Sequence, residues 1–241
     1  MDISLIVPCY NEGPYLEGNL KELYNLLSFL RVDFEMIIID DKSKNDTLKR
    51  VENFVKDNGK AQLLSHEVNQ GRGYTVSEGI RKAKGKVAGF IDIDLEVASQ
   101  NIIPLILKVL EGYDVATGKR VYKIKWDPRW ILSKGYAYLV KHFCKTPFQD
   151  TEAGLKFFNR EKIFPLLDEI EDKHWFWDTE ILTRSYYHGL KIAEVPVLFI
   201  REYPDYTTVK TFRDAFYYFK KLLRFRKVIA PYRKKGVPMG D

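Results

Sequence analysis

Two hydrophobic periods alternate along the N-terminal part of the chain. Residues 3–7, 34–39 and 87–91 are nearly continuous apolar runs, the pattern of strands covered on both faces. Between the first two, Leu16, Leu20, Leu23, Leu27 and Leu30 recur at steps of four and three and mark one face of a helix. Residues 47–55 and 73–84 read as further helices, with 61–64 a short strand between them. Four strands joined by crossover helices predict an α/β fold with a mostly parallel, doubly wound, Rossmann-like sheet flanked by helices. Such sheets bind ligands at the carboxyl ends of their strands.

The second half is less regular. A helix is expected over 130–144, a strand over 155–158 and a helix over 178–188. Residues 191–200 read as one or two strands interrupted by Pro196. No internal repeat or low-complexity linker divides the chain, so the simplest description is one domain over 1–205 followed by a helical extension over 206–241.

Composition adds little until charge is placed. Cys9 and Cys144 lack any metal-binding or redox spacing, which fits a reducing cytoplasm. The N-terminus shows no basic flank followed by a long apolar run, so no export signal is expected. Apolar stretches are broken by charge or proline well short of the roughly 20 residues a spanning helix needs. The net charge of +6 is uneven, because residues 206–241 hold ten Lys/Arg against two acids. Phe212, Phe216, Phe219, Leu223 and Phe225 alternate there with Lys220, Lys221, Arg224, Arg226 and Lys227. As a helix this stretch is amphipathic and suits an anionic membrane surface; the bland alternative is a helix docked on the core with solvated lysines. No RNA or DNA motif accompanies the charge, so nucleic acid is not expected.

The chemistry lies at the strand ends. Asp92-Ile93-Asp94 follows the apolar run VAGFI, and the strand period puts both carboxylates on one side. Hard oxygens so arranged suit Mg²⁺ or Mn²⁺, with Glu96 placed to add a third oxygen. Alone, such a pair also ends many strands in solvated loops. A second acidic pair, Asp40-Asp41, ends another apolar strand, so two strand ends present carboxylates to one crevice. Asp41 is placed to accept from a nucleobase N–H, whereas Asp40 caps a turn. The segment NQGRGYTVSEGI sets two glycines and Arg72 before a helix, where backbone N–H groups and a guanidinium favour a diphosphate.

VPCYNEG, IIIDDKSKNDT, NQGRGYTVSEGI and IDIDLE, in this order and spacing, resemble the donor half of glycosyltransferase family 2, which has the GT-A fold. The resemblance implies that residues 1–96 bind a nucleotide sugar and 97–205 an acceptor. It implies that Pro8, Tyr10, Glu12 and Asp41 hold the nucleoside, and that Asp92 and Asp94 bind metal and diphosphate. QDTEAGLKFFNR and FWDTEILTRSYYHGLKIAEVPV, followed by Arg201, are similar to the branch of dolichol-phosphate mannose synthases and dolichyl-phosphate glucosyltransferases. From the mannose synthases of that branch, Arg120, Arg129, Ser133 and Arg201 are expected to cradle phosphates. Asp150 opens the motif of the lipid-phosphate branch, whereas saccharide-acceptor members of the family carry a catalytic Asp where Asp178 stands. Either is expected to act as a base or to orient the acceptor, with Asp150 favoured and Asp178 also readable as a plain helix N-cap. The usual R-x-x-G-x-S-K segment is here Arg201 to Lys210 without a glycine, and the transmembrane helices of many relatives are not expected from these 241 residues.

The expected reaction is inverting transfer of a hexose from UDP-glucose or GDP-mannose to a polyprenyl or dolichyl phosphate. It would run at the cytoplasmic face of a membrane, with metal, Arg72 and Arg201 neutralising the departing diphosphate. A phosphate monoester, with a second pKa near about 6, is already an anionic nucleophile at neutral pH; a sugar hydroxyl is not. Two alternatives stay open: a soluble transferase extending a glycan hydroxyl, and a non-catalytic membrane-surface module.

Overall fold

The computed structural model describes the backbone of residues 1–122, 128–200 and 211–234, and within these it leaves the side chains of 122, 128–134, 211–216 and 233–234 undescribed. Seven strands form a single sheet in the order β3-β2-β1-β4-β6-β5-β7. They are β1 (Ile3–Cys9), β2 (Phe34–Asp40), β3 (Ala61–Ser65), β4 (Val87–Ile91), β5 (Val115–Tyr122), β6 (Leu155–Asn159) and β7 (Ile192–Phe199). The helices are α1 (Leu16–Phe29), α2 (Thr47–Asp57), α3 (Arg72–Lys82), α4 (Ile102–Leu110), α5 (Pro128–Cys144), α6 (Arg160–Ile163), α7 (Trp177–Tyr187) and α8 (Thr211–Lys234).

The continuous apolar runs occupy the middle of the sheet because both faces are covered. Leu5, Val7, Met36 and Ile38 pack on one side with Leu16, Leu20, Leu23 and Leu27 of α1. Ile6, Ile37, Ile39 and Phe90 pack on the other with Val76 and Ile80 of α3 and Trp177 of α7. Alternate strand residues thus feed opposite layers.

β6 is antiparallel to both β4 and β5, while β1 to β4 pair in parallel and β5 pairs in parallel with β7. That single reversal positions the site. Polar residues following β1, β2 and β4 emerge at one sheet edge, and the segment preceding the reversed strand, residues 150–154, arrives at the same edge. The order also turns at β1, which has β2 on one side and β4 on the other, giving the crevice expected of a doubly wound sheet.

The sequence pattern did not announce the short helix α6, nor α4 and β5. α4 has Pro104 in its first turn and an almost wholly apolar sequence, and β5 reads VATGKRVY, with no clean alternation. Residues 192–199 form one strand, so the expected interruption at Pro196 does not occur. β7 lies at the sheet edge, where a missing N–H costs no ladder bond on the open side. The amphipathic C-terminal helix is present, and Leu222, Phe225 and Ile229 bury against Val140 and Cys144 of α5 and against Phe176.

Candidate active site

The loops after β1 and β2 are tied together by side chains. The Asn11 amide donates to Ser43 Oγ at 2.9 Å, the Lys44 amide to Asn11 Oδ1 at 2.7 Å and the Glu12 amide to Thr47 Oγ1 at 2.8 Å. Pro8 is buried in β1 opposite Ile39, and Tyr10 follows at the strand's end. The Glu12 carboxylate accepts from the Tyr10 amide at 2.8 Å and the Tyr15 hydroxyl at 2.7 Å. Burial pushes its carboxyl up to about 7 against those hydrogen bonds, helped by the charges of Asp92 and Asp40.

Asp41 is almost fully buried and organises the start of α3. Its Oδ1 accepts from the Gln70 amide at 2.7 Å and faces His66 Nδ1 at 2.6 Å, while Oδ2 accepts from the Gly71 amide at 2.8 Å. A carboxylate offers about four acceptor directions, and these three contacts take most of them. Asp40 caps the turn by accepting from the Ser43 amide at 3.0 Å, and its other oxygen is buried without a partner.

Arg72 opens α3 and crosses to the β4 end. Its Nε and Nη2 fork onto Asp92 at 2.7 and 3.0 Å, and Nη1 donates to Asp178 Oδ2 at 2.6 Å. The guanidinium also lies 5.0 Å from the Phe90 ring and 4.9 Å from that of Trp175. Three of its five N–H donors are therefore engaged and two remain. Gly73 lets this helix start approach α7, since a Cβ there would fall 2.5 Å from Trp177 Cβ.

Asp92 and Asp94 flank the buried Ile93 and are both partly exposed. β4 ends at Ile91, so they stand in the following turn, closed by the Leu95 amide on the Asp92 carbonyl at 3.2 Å, and not on the strand whose period was expected to align them. The Glu96 amide donates to Asp94 Oδ1 at 3.1 Å. Burial raises the Asp94 carboxyl to about 7, with the Asp92 and Glu96 charges adding to the shift. Among the described residues no three His, Cys, Asp or Glu side chains form a ready-made metal cage. The donor set nevertheless fits a hard divalent cation: negative charge is in excess around Asp94, and Mg²⁺ commonly takes only one or two protein carboxylates.

On the acceptor side, Arg120 near the end of β5 forks onto Asp150, Nε to Oδ2 at 2.7 Å and Nη2 to Oδ1 at 2.9 Å. Burial raises the Asp150 carboxyl, but the Arg120 charge and hydrogen bonds outweigh it and hold it below its ordinary value. Asp178 is no N-cap: Phe176 holds that position and Asp178 lies in the first turn of α7. Its second oxygen accepts from Lys156 Nζ at 2.5 Å, and Lys156 is wholly buried. Burial lowers the Lys156 ammonium from its ordinary value, and Asp178 offsets part of that loss. Arg129 and Ser133 fall within α5 but their side chains lie outside the described residues, as does all of Arg201.

Sequence reasoning gave no role to Lys156, Glu152 or His66. A lysine inside the apolar strand LKFFN was a usable signal, because lysine is buried only when paired. Glu152 has its Oε2 3.6 Å from Arg120 Nη2. Burial pushes its carboxyl up to about 7, Arg120 opposes this, and the Asp150 and Asp178 charges add to it.

The family model described as glycosyl transferase family 2 matches residues 4–171. The chain belongs to this family. Glycosyltransferase AglD of Haloferax volcanii is 31% identical over 209 residues, covering 82% of this chain and 33% of that protein. A dolichyl-phosphate beta-glucosyltransferase of Dictyostelium discoideum is 30% identical over 213 residues, covering 81% and 65%. The chain thus spans a third of the first relative's length and just under two thirds of the second's. Glucosyl-3-phosphoglycerate synthase from Mycobacterium tuberculosis, solved with Mn²⁺, UDP-glucose and phosphoglyceric acid, superposes with a TM-score of 0.69 at 18% identity, over 94% of this chain and 80% of that one. The chain therefore has the GT-A fold expected from its motifs.

Proposed function

We propose that this glycosyltransferase moves a hexose from a nucleotide sugar, UDP-glucose or GDP-mannose, to a polyprenyl or dolichyl phosphate with inversion at the anomeric carbon. The observation that carries the acceptor class is that both expected bases are already engaged by cations. Asp150 is forked by Arg120, and Asp178 is held between Arg72 and Lys156. Arg120 holds Asp150 below its ordinary value, which makes it a poor proton acceptor, and both oxygens of Asp178 are already taken by donors. A phosphate acceptor, ionised at neutral pH, needs none. The dolichyl-phosphate beta-glucosyltransferase similarity supports the same acceptor.

In this reading Asp41, Tyr10 and Glu12 line the nucleoside end of the crevice. Arg72 and the N–H groups at the start of α3 face the diphosphate with the two guanidinium donors still available. Asp94 with Asp92 and Glu96 would hold Mg²⁺ or Mn²⁺, which supplies electrostatic neutralisation of the departing diphosphate. Arg120, held rigid by Asp150, faces the acceptor phosphate, with Arg129, Ser133 and Arg201 as its expected companions. The contact with the membrane is assigned to the α5/α8 face, where Phe219 and Leu223 stay exposed among basic residues.

One observation favours a second acceptor. Glu152, with its carboxyl near 7, is poised as a general base for a sugar hydroxyl. Incubation with radiolabelled nucleotide sugars and either a polyprenyl phosphate or a glycan separates the two. Label entering the organic phase supports the lipid acceptor, and label confined to the aqueous glycan overturns it. NMR of the product's anomeric proton reads the stereochemistry.

A further inference from the structure

We propose that His66 is a positioning residue whose proton holds Asp41 and the Gly71–Arg72 turn in register, so that donor binding weakens when the imidazole loses it. This rests on the donor reading of Asp41 and Arg72 above.

His66 follows β3 and fits between two carboxylates. Its Nδ1 lies 2.6 Å from Asp41 Oδ1, and its Nε2 lies 2.7 Å from Glu78 Oε2 on α3. A neutral imidazole has one N–H, so at one of these contacts a ring lone pair would face a carboxylate oxygen. Only the doubly protonated ring satisfies both. Burial disfavours the charged ring, but Asp41 and Glu78 together outweigh it and raise the imidazole above its ordinary value. Tyr74 on α3 stands edge-on to the ring at 5.7 Å, with Lys173 Nζ over the Tyr74 ring at 5.4 Å. The His66 amide donates to the Asp40 carbonyl at 3.0 Å, which fixes the backbone from which the ring projects.

The connection to the crevice is short. Asp41 Oδ1, which faces the ring, also accepts from the Gln70 amide, and Oδ2 accepts from the Gly71 amide. Gly71 has φ of +97°, and a Cβ there would fall 2.4 Å from both His174 Nδ1 and the Lys173 carbonyl, so only glycine fits this turn. The next residue is Arg72, which spans Asp92 and Asp178. Loss of the proton removes the imidazolium charge beside Asp41 and puts a ring lone pair against Asp41 or Glu78. The carboxylate then shifts together with the two amides it orders.

The test begins with the free protein. Imidazole and amide NMR, with His66 assigned by comparison with His66→Gln, should give a His66 pKa above the ordinary value of about 6.5. Glu78→Gln should lower it, and the Gln70 and Gly71 amide shifts should titrate along the same curve. Titration of UDP and GDP with Mn²⁺ between pH 7 and pH 9 then reads the consequence. Affinity should fall about tenfold across the His66 transition, the worth of one charge-assisted hydrogen bond, and His66→Gln should flatten that dependence. A His66 pKa at or below the ordinary value, or amide shifts that ignore its titration, overturns the proposal. Should neither nucleotide bind at any pH, the donor reading fails, and the NMR titrations still decide the role of His66.

Discussion

At the scale of single residues, the site is a row of carboxylates separated by a few well-placed cations. Gly154 shows how tightly they are set. Its carbonyl accepts from the Asp92 amide at 2.9 Å, and a Cβ built on it would lie 2.0 Å from Asp92 Oδ2. Gly154→Ala must therefore push Asp92 aside and break its fork with Arg72. The expected cost is about 1–3 kcal/mol of stability and a larger loss of metal-dependent nucleotide affinity, read by denaturant unfolding and calorimetry on one sample. Unchanged nucleotide affinity would show that Asp92 does not serve the donor.

Glu152 gives a prediction with a defined sign. Its folded pKa of about 7 is raised above the ordinary 4.5, so the fold binds this proton more tightly than the unfolded chain does. The stabilising contribution is complete below about 4.5 and is lost as pH rises through 7. Glu152→Gln should flatten the decline in stability between pH 5 and pH 7.5, removing on the order of 2 kcal/mol of pH dependence. An identical decline in the variant would count against a buried, protonated Glu152. The same variant should spare transfer to a phosphate acceptor and depress transfer to a hydroxyl, because only the latter needs a base.

At the scale of elements, what could be read from sequence depended on how evenly each segment is buried. β1, β2 and β4 are covered on both faces, so their apolar runs are uninterrupted, and α1 shows its buried leucines at helical spacing. β5 near the sheet margin mixes Lys119 and Arg120 into its sequence, and α4 is too uniformly apolar to show a face. The acidic strand ends were equally legible, because parallel strands separated by helices deliver their carboxyl ends to one edge. The pairing of those acids was not: Arg72 meets Asp178 across 106 residues of sequence, and no local pattern encodes that contact. Part of α8's apolar face is packed rather than free. Leu222, Phe225 and Ile229 are buried, with Phe225 edge-on to Phe176 at 5.5 Å. Phe225→Ala should cost about 3–5 kcal/mol, measurable by denaturant unfolding. A loss below 1 kcal/mol would mean that α8 does not hold this position in solution.

At the scale of the whole molecule, the question is what meets the face that α5 and α8 leave uncovered. Among the described residues no helix is long and apolar enough to cross a membrane. Tyr138 is 69% exposed and stacks on His142, His142 meets Phe143, and Phe143 meets Phe219 of α8 at 6.3 Å. Leu223 continues that line one helical turn on, and Arg226 lies over Phe143 at 5.5 Å. Lys141, Lys220 and Lys227 are exposed on the same two helices and Lys145 just beyond the end of α5, whereas the acids Asp172 and Glu171 take up Lys221 and Arg224 on another side of α8. Aromatic and aliphatic groups ringed by cations match an anionic lipid surface, where each basic residue adds about 1 kcal/mol and insertion of the apolar groups adds a salt-insensitive part. The protein should therefore sediment with vesicles containing anionic lipid and much less with neutral ones, and high salt should release most but not all of it. Phe219→Ser with Leu223→Ser should remove the salt-resistant fraction while leaving the unfolding midpoint nearly unchanged, since both side chains are already more than a third exposed. Equal binding to neutral and anionic vesicles, or a double variant that binds like the parent, would remove the membrane from this face. A polyprenyl phosphate acceptor would then have to reach Arg120 by another route.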